Sequence, residues 1–104
     1  MRYLAVTMVR GPAFDESRGI REQDAWAEHA AFMDGLVDEG LIVMGGPFGD
    51  GLQTLVIFDT EDEAEVRRRM AEDPWAGMDV LRVGSVEPWQ IWLFKEPSPG
   101  KQET

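Results

Sequence analysis

One histidine, His29, stands in a 104-residue chain that contains no cysteine. This narrows the available chemistry at once. Without cysteine there is no disulfide, thiol nucleophile, zinc–thiolate site or iron–sulfur cluster. A single histidine cannot build a multi-histidine metal site within one chain, so no metal is expected. What remains is an imidazole, the side chain best suited to proton transfer near neutral pH. Other starting points are weak. Ser85 lies in Gly84-Ser85-Val86, without the Gly-x-Ser-x-Gly elbow of a serine hydrolase. Gly45-Gly46-Pro47-Phe48-Gly49 lacks the Gly-Lys-Ser/Thr ending of a phosphate loop. Asp59, Glu61 and Glu63 alternate, but Ala64 stands where a calcium loop needs glycine.

The spacing around His29 is helical from about Arg21 to Glu39, with Gly40 at a C-terminal cap position. At 100° per residue, Ala25, Trp26, Phe32, Met33 and Leu36 fall within about 60° of His29. Asp24, Asp34 and Asp38 fall on the far side, and Glu22 shares the apolar side two turns earlier. His29 is therefore expected near the centre of the stripe that faces a sheet. The simplest role there is a core histidine donating to a backbone carbonyl. A catalytic role requires a pocket and an acid, because burial disfavours a charged imidazole and a facing carboxylate restores it. Asp73 is the candidate partner. It ends the second helix beside Pro74, which restricts the chain, although an aspartate there is also an ordinary helix-end residue. Trp26 and Trp75 are core residues or flank a flat organic ligand.

The elements that must position these residues follow from the pattern. Tyr3 to Arg10 reads as a first strand, stopped by Gly11-Pro12. Leu41 to Met44 reads as a second strand, Gly45 to Gly51 as a turn-rich loop, and Leu52 to Phe58 as a third strand. Thr60 and Glu63 form a capping-box pattern for a helix over about Glu61 to Glu72. Val80 to Phe94 is one long strand or two short ones. The order β-α-β-β-α-β predicts an α+β, ferredoxin-like domain, with a four-stranded antiparallel sheet and two helices on one face. The domain should span residues 1–95, followed by a flexible tail over 96–104 that contains Pro97, Pro99 and Gly100.

Two helices cover one face of such a sheet, yet Leu55-Val56-Ile57-Phe58 is apolar at every position. Trp89, Ile91 and Leu93 should face one side, and Trp92 and Phe94 the other. A second apolar face predicts homodimerisation sheet to sheet. The 20 acids against 10 bases give a net charge of −10, which argues against nucleic-acid binding. Most acids cluster in and around the two helices as a solvated face. Arg67-Arg68-Arg69 is broken up by flanking acids, and Arg67 is expected to lie along the apolar stripe. No apolar run approaches a membrane span, and the first ten residues are too short and alternating for a signal peptide. A cytoplasmic protein is expected.

The combination of His29 and Met33 on a helix, Asp38-Glu39-Gly40-Leu41, Gly45-Gly46-Pro47, Ala71-Glu72-Asp73-Pro74-Trp75 and Val86-Glu87-Pro88-Trp89 resembles the YCII-related (YciI-like) family over about residues 1 to 94. The resemblance implies a ferredoxin-like fold that pairs as a dimeric α+β barrel. It also implies a His–Asp site in a cleft between helix and sheet, at His29 and Asp73, with Gly46-Pro47 matching the family's Gly-Pro. Trp75 departs from the smaller aromatic common at its position. The resulting expectation is a cofactor-independent enzyme performing isomerisation or elimination on a small organic molecule. His29 and Asp73 would be catalytic, with Trp26, Met33, Gly46, Pro47 and Trp75 forming the pocket. The alternative is a non-catalytic ligand-binding or sensing dimer using the same cleft.

Overall fold

The computed structural model describes residues 2–93 and residue 95. Four strands, β1 (Arg2–Arg10), β2 (Ile42–Phe48), β3 (Gln53–Phe58) and β4 (Leu81–Gln90), form one antiparallel sheet in the order β2-β3-β1-β4. Helix α1 (Trp26–Asp38) joins β1 to β2, and α2 (Glu63–Met70) and the one-turn α3 (Pro74–Gly77) join β3 to β4. This is the expected βαββαβ order with an added short helix, and the α+β, ferredoxin-like class stands.

Strand alternation sets the core. Val6 pairs with Val56 on one side and Val86 on the other. Leu4, Val6 and Met8 point to the same side, where they pack with Val56 and Phe58. Leu36 of α1, Val66 and Met70 of α2, and Trp75 of α3 close over them. Val6, Phe58, Val66 and Trp75 have no solvent exposure, and each such burial is worth about 1.5–3 kcal/mol. The alternate residues of β1, Tyr3, Ala5 and Thr7, lie on the other face, where Thr7 Oγ1 and Ser85 Oγ share a hydrogen bond of 2.6 Å. Ile57 pairs with Ala5 and Met44 there, outside the core cluster. Met44, Phe48 and Trp89 are each more than 40% exposed.

Several boundaries differ from the expected ones, for identifiable reasons. Gly45, Gly46 and Pro47 are not a loop: they pair with Val56, Leu55 and Thr54 as the second half of β2. β2 is an edge strand, where proline is tolerated, and the turn falls later, where Gly49 and Gly51 take φ of 64° and 86°. α1 starts at Trp26, preceded by a 3-10 turn over Ile20–Glu22, so Glu22 is not on its wheel. α2 is capped by Asp62, whose carboxylate accepts from the Ala64 and Glu65 amides. Thr60 instead bonds Asp62 N and the Glu65 carboxylate. Arg67 pairs with Glu63 at 2.8 Å and lines a shallow cleft together with Met70 and Ala71. β4 ends at Gln90, which leaves Trp92 and Leu93 beyond it, 84% and 91% exposed. They therefore give no support to the second apolar face. Phe94 and the expected tail, residues 96–104, lie outside the described residues.

The two long helices are tied by a fork in which Arg69 donates to both oxygens of Glu39 at 2.9 Å each. These hydrogen bonds hold the Glu39 carboxyl below its ordinary range. The contribution is present above that range and fades as pH falls through the lowered pKa. The pair is exposed enough that solvent keeps it small. Among the described residues no helix is long and apolar enough to cross a membrane.

Candidate functional site

His29 is 7% exposed on the buried side of α1, as its position on the helical wheel requires. It reaches Asp73, which begins α3. Asp73 sits in extended backbone with φ −64° and ψ 129°, and Pro74 follows at the first helical position. One carboxylate oxygen caps this turn by accepting from the Trp75 amide at 2.9 Å. The other lies 2.8 Å from His29 Nδ1. Both oxygens are thus engaged, and Asp73 is 3% exposed. A carboxylate in that place accepts the proton on Nδ1. The neutral ring then carries its lone pair on Nε2.

Trp75 holds the ring from behind. Its indole is stacked on the imidazole with centroids 3.9 Å apart and planes 9° apart. The indole Nε1 donates to the Asp24 carbonyl at 2.6 Å. That carbonyl is presented by the bend into α1, where Ala25 takes the left-handed conformation, φ 61° and ψ 27°. A non-glycine residue there costs about 1–2 kcal/mol, a local strain offset by the bonds it sets up.

The front of the imidazole faces a cavity of about 290 Å³ between α1 and the sheet. Trp26, His29 and Met33 line it from the helix, and Gly45, Gly46 and Pro47 line it from β2. A cavity near 150 Å³ already holds a benzene, so one substituted ring fits. Gly45 matters to this space: a Cβ there would sit 3.0 Å from the Leu55 carbonyl oxygen and 3.3 Å from Val56.

Of the residues expected in the site, Trp26, His29, Met33, Gly46 and Pro47 line one cavity, and Asp73 bonds His29 from behind it. Trp75 does not line the cavity. It is fully buried, and the place where it was to flank a ligand is filled by the imidazole. Other residues also line the cavity, among them the strand residues Met8, Ile42, Gly45, Thr54, Val56 and Leu81, and Ile20, Arg21 and Asp34. Asp34, on the wet side of the wheel, is exposed and still lines the cavity. Ile20 and Arg21 arrive on the 3-10 turn. Gln23 fixes that segment, its amide donating to the Asp15, Arg18 and Gly19 carbonyls and its oxygen accepting from the Asp15 amide. A glutamine that is 4% exposed with four bonds has no signature in a single sequence.

The arrangement can hold a small ring against a base whose second nitrogen is pinned. Among the described residues, no group of three or more histidine, aspartate or glutamate side chains is placed to hold a metal ion.

Comparison with known proteins agrees with this architecture. No match to the chain is found among curated proteins. Among solved structures, 5-chloro-2-hydroxyhydroquinone dehydrochlorinase from Burkholderia phenoliruptrix, in complex with 2,5-dihydroxybenzoquinone, is similar with a TM-score of 0.56. It is 20% identical, and the superposition covers 94% of this chain and 100% of that one. At that identity the likeness establishes the fold. The YCII-related domain profile matches residues 1–90, and the chain therefore belongs to the YCII-related family.

Proposed function

We propose that this chain is a small-molecule enzyme, working without a cofactor, that uses His29 as a general base and Asp73 as the residue that orients it and stabilises the charged form it takes up during the reaction. The observation that carries this reading is the buried Nδ1–carboxylate bond of 2.8 Å on a histidine that also lines the cavity. Nε2 would take a proton from a carbon or oxygen conjugated to a carbonyl. Asp73 stabilises the imidazolium that results. The electron pair left behind either forms a new double bond as a leaving group departs, which is elimination, or is reprotonated elsewhere on the molecule, which is isomerisation. Positioned acid–base catalysis contributes about 10²–10⁴-fold, and confinement beside Met33 and Trp26 adds orientation. The similar structure's dehydrochlorinase activity and quinone ligand make halogenated hydroxylated rings the first compounds to try.

The test is chloride release, followed with a panel of chlorinated hydroquinones, together with exchange of acidic C–H positions in deuterated water. Turnover that disappears in His29→Asn supports the reading. Tight binding of panel compounds, with neither chloride release nor exchange, favours the non-catalytic binding module instead.

We infer further that two chains pair through the sheet face opposite the helices. Met44 and Phe48 are exposed on it beside the half-buried Leu55, and Trp89 is exposed on the same face at the opposite edge strand, which makes that face more apolar than a wet one needs to be. Sedimentation equilibrium at micromolar concentration should give twice the 11.7 kDa chain mass, and a single monomeric species would remove the inference.

A further inference from the structure

The cavity wall carries a cation that no acid among the described residues neutralises. In a chain of net charge −10, four arginines are seen paired with acids. Arg10 pairs with Glu16, Arg18 with Asp15 and Asp24, Arg67 with Glu63, and Arg69 with Glu39 and Glu72. Among the described residues Arg21 has no hydrogen bond or ion pair, although Glu22 is its neighbour and Asp24 lies three residues on. Arg68 and Arg82 share that condition but do not line this cavity, whereas Arg21 does. Its guanidinium lies over the Trp26 ring at 6.0 Å from the centroid, and Trp26 lines the same space.

We propose that Arg21 is the anchor for an anionic oxygen of the ligand, so that the cavity selects small cyclic organic anions bearing a carboxylate or an enolate-type oxygen. This rests on reading the cavity as the working site. Three observations support it. First, Arg21 stands on a short turn whose entry is fixed by four hydrogen bonds between Gln23 and Asp15, Arg18 and Gly19, so the backbone that carries the cation needs little further ordering. Second, a guanidinium whose one described contact is the Trp26 ring face, at 6.0 Å from the centroid, keeps its N–H groups for a ligand, and these form the fork that matches a carboxylate. Third, the wall is polarised. Arg21 precedes α1, His29 lies in its second turn, and Asp34 follows five residues later, about 7–8 Å further along the axis. An anion over Asp34 is repelled. The negative end of a ligand therefore belongs at Arg21 and a neutral hydroxyl at Asp34, which leaves the ring between them across His29. Where proton removal places new negative charge on that oxygen, Arg21 strengthens its hold as the reaction proceeds.

The test compares benzoate with benzamide, two probes of nearly equal size, by titration of the Trp26 indole N–H resonance, assigned with Trp26→Phe. The native chain should bind benzoate at least tenfold more tightly than benzamide, and added salt should weaken only benzoate. Arg21→Gln should abolish the difference and Arg21→Lys should keep part of it, because the charge survives without the fork. Equal affinities in the native chain, an unchanged preference in Arg21→Gln, or no benzoate response at millimolar concentration overturns the proposal. Its failure is distinct from that of the catalytic reading. Arg21-dependent benzoate binding without turnover of any panel compound sinks catalysis and keeps the anion site. Turnover without discrimination does the reverse.

Discussion

His29→Asn lowers turnover by about 10²–10⁴-fold and leaves the chain folded. Asparagine is the informative choice because its side-chain amide still offers an N–H toward Asp73, so the buried carboxylate is not stranded. Alanine would leave it unpaired, and breaking a buried pair from one side costs about 3–5 kcal/mol, which confounds activity with folding. Asp73→Asn should be nearly as damaging although the imidazole is untouched. An amide N–H facing Nδ1 draws the ring proton to Nε2, and the lone pair then points away from the cavity. The two residues act as one unit, so the double variant should be little worse than either single one. Turnover measured alongside urea midpoints decides the matter. A folded His29→Asn chain that keeps native turnover, or an Asp73→Asn chain that does, shows that the pair is structural.

Trp75→Ala should cost about 3–5 kcal/mol. The side chain is wholly buried in the cluster with Met70, Val80 and Leu81, and three attachments go with it: the apolar volume, the stack against His29 at 3.9 Å, and the bond to the Asp24 carbonyl at 2.6 Å. For a domain of this size each kcal/mol moves the melting midpoint by about 4–8 °C, so a fall well beyond 10 °C is expected. Trp75→Phe keeps a ring behind the imidazole but leaves the Asp24 carbonyl without its donor, at about 1–3 kcal/mol. Urea denaturation followed by circular dichroism measures both. A Trp75→Ala chain within 1 kcal/mol of native would show that the observed packing is not what holds α3 in place.

Much of this was readable from residue order because the signals were periodic or local. The wheel puts His29 on the sheet-facing side of α1 since a 13-residue helix samples its period several times. Asp73-Pro74 marks a helix boundary by sterics alone. What escaped depends on contacts distant in sequence. Gly45-Gly46-Pro47 carries every local mark of a turn, yet pairing with β3 extends it as strand. Trp75 looked like a wall for a ligand because aromatic residues near a candidate base read that way. Its true place is set by a carbonyl 51 residues earlier. The start of α1 has no capping side chain, so Ala25 gave no signal. Phe14 is buried in what read as a connecting loop, under the Arg10 guanidinium 4.1 Å above its ring. Arg21 passed as a helix-start residue, since an arginine's value lies in the partners it lacks, and those are visible only in three dimensions.

On its sheet side the cavity is lined by Met8, Ile42, Thr54, Val56 and Leu81, and at the edge strand by Gly45, Gly46 and Pro47. Along the second half of β2, two glycines and a proline add little side chain to that wall, and a Cβ at Gly46 would touch no atom within 4 Å. The sheet therefore contributes shape and little chemical vocabulary. Nearly all recognition is written on α1 and the turn before it: Arg21, Trp26, His29, Met33 and Asp34. Exchanges at Met33 or Asp34 can retune what the site accepts without touching a strand, while the His29–Asp73 pair stays seated behind. Such a division suits one scaffold to many small rings. The sheet is the frame, and a single short helix carries the instructions.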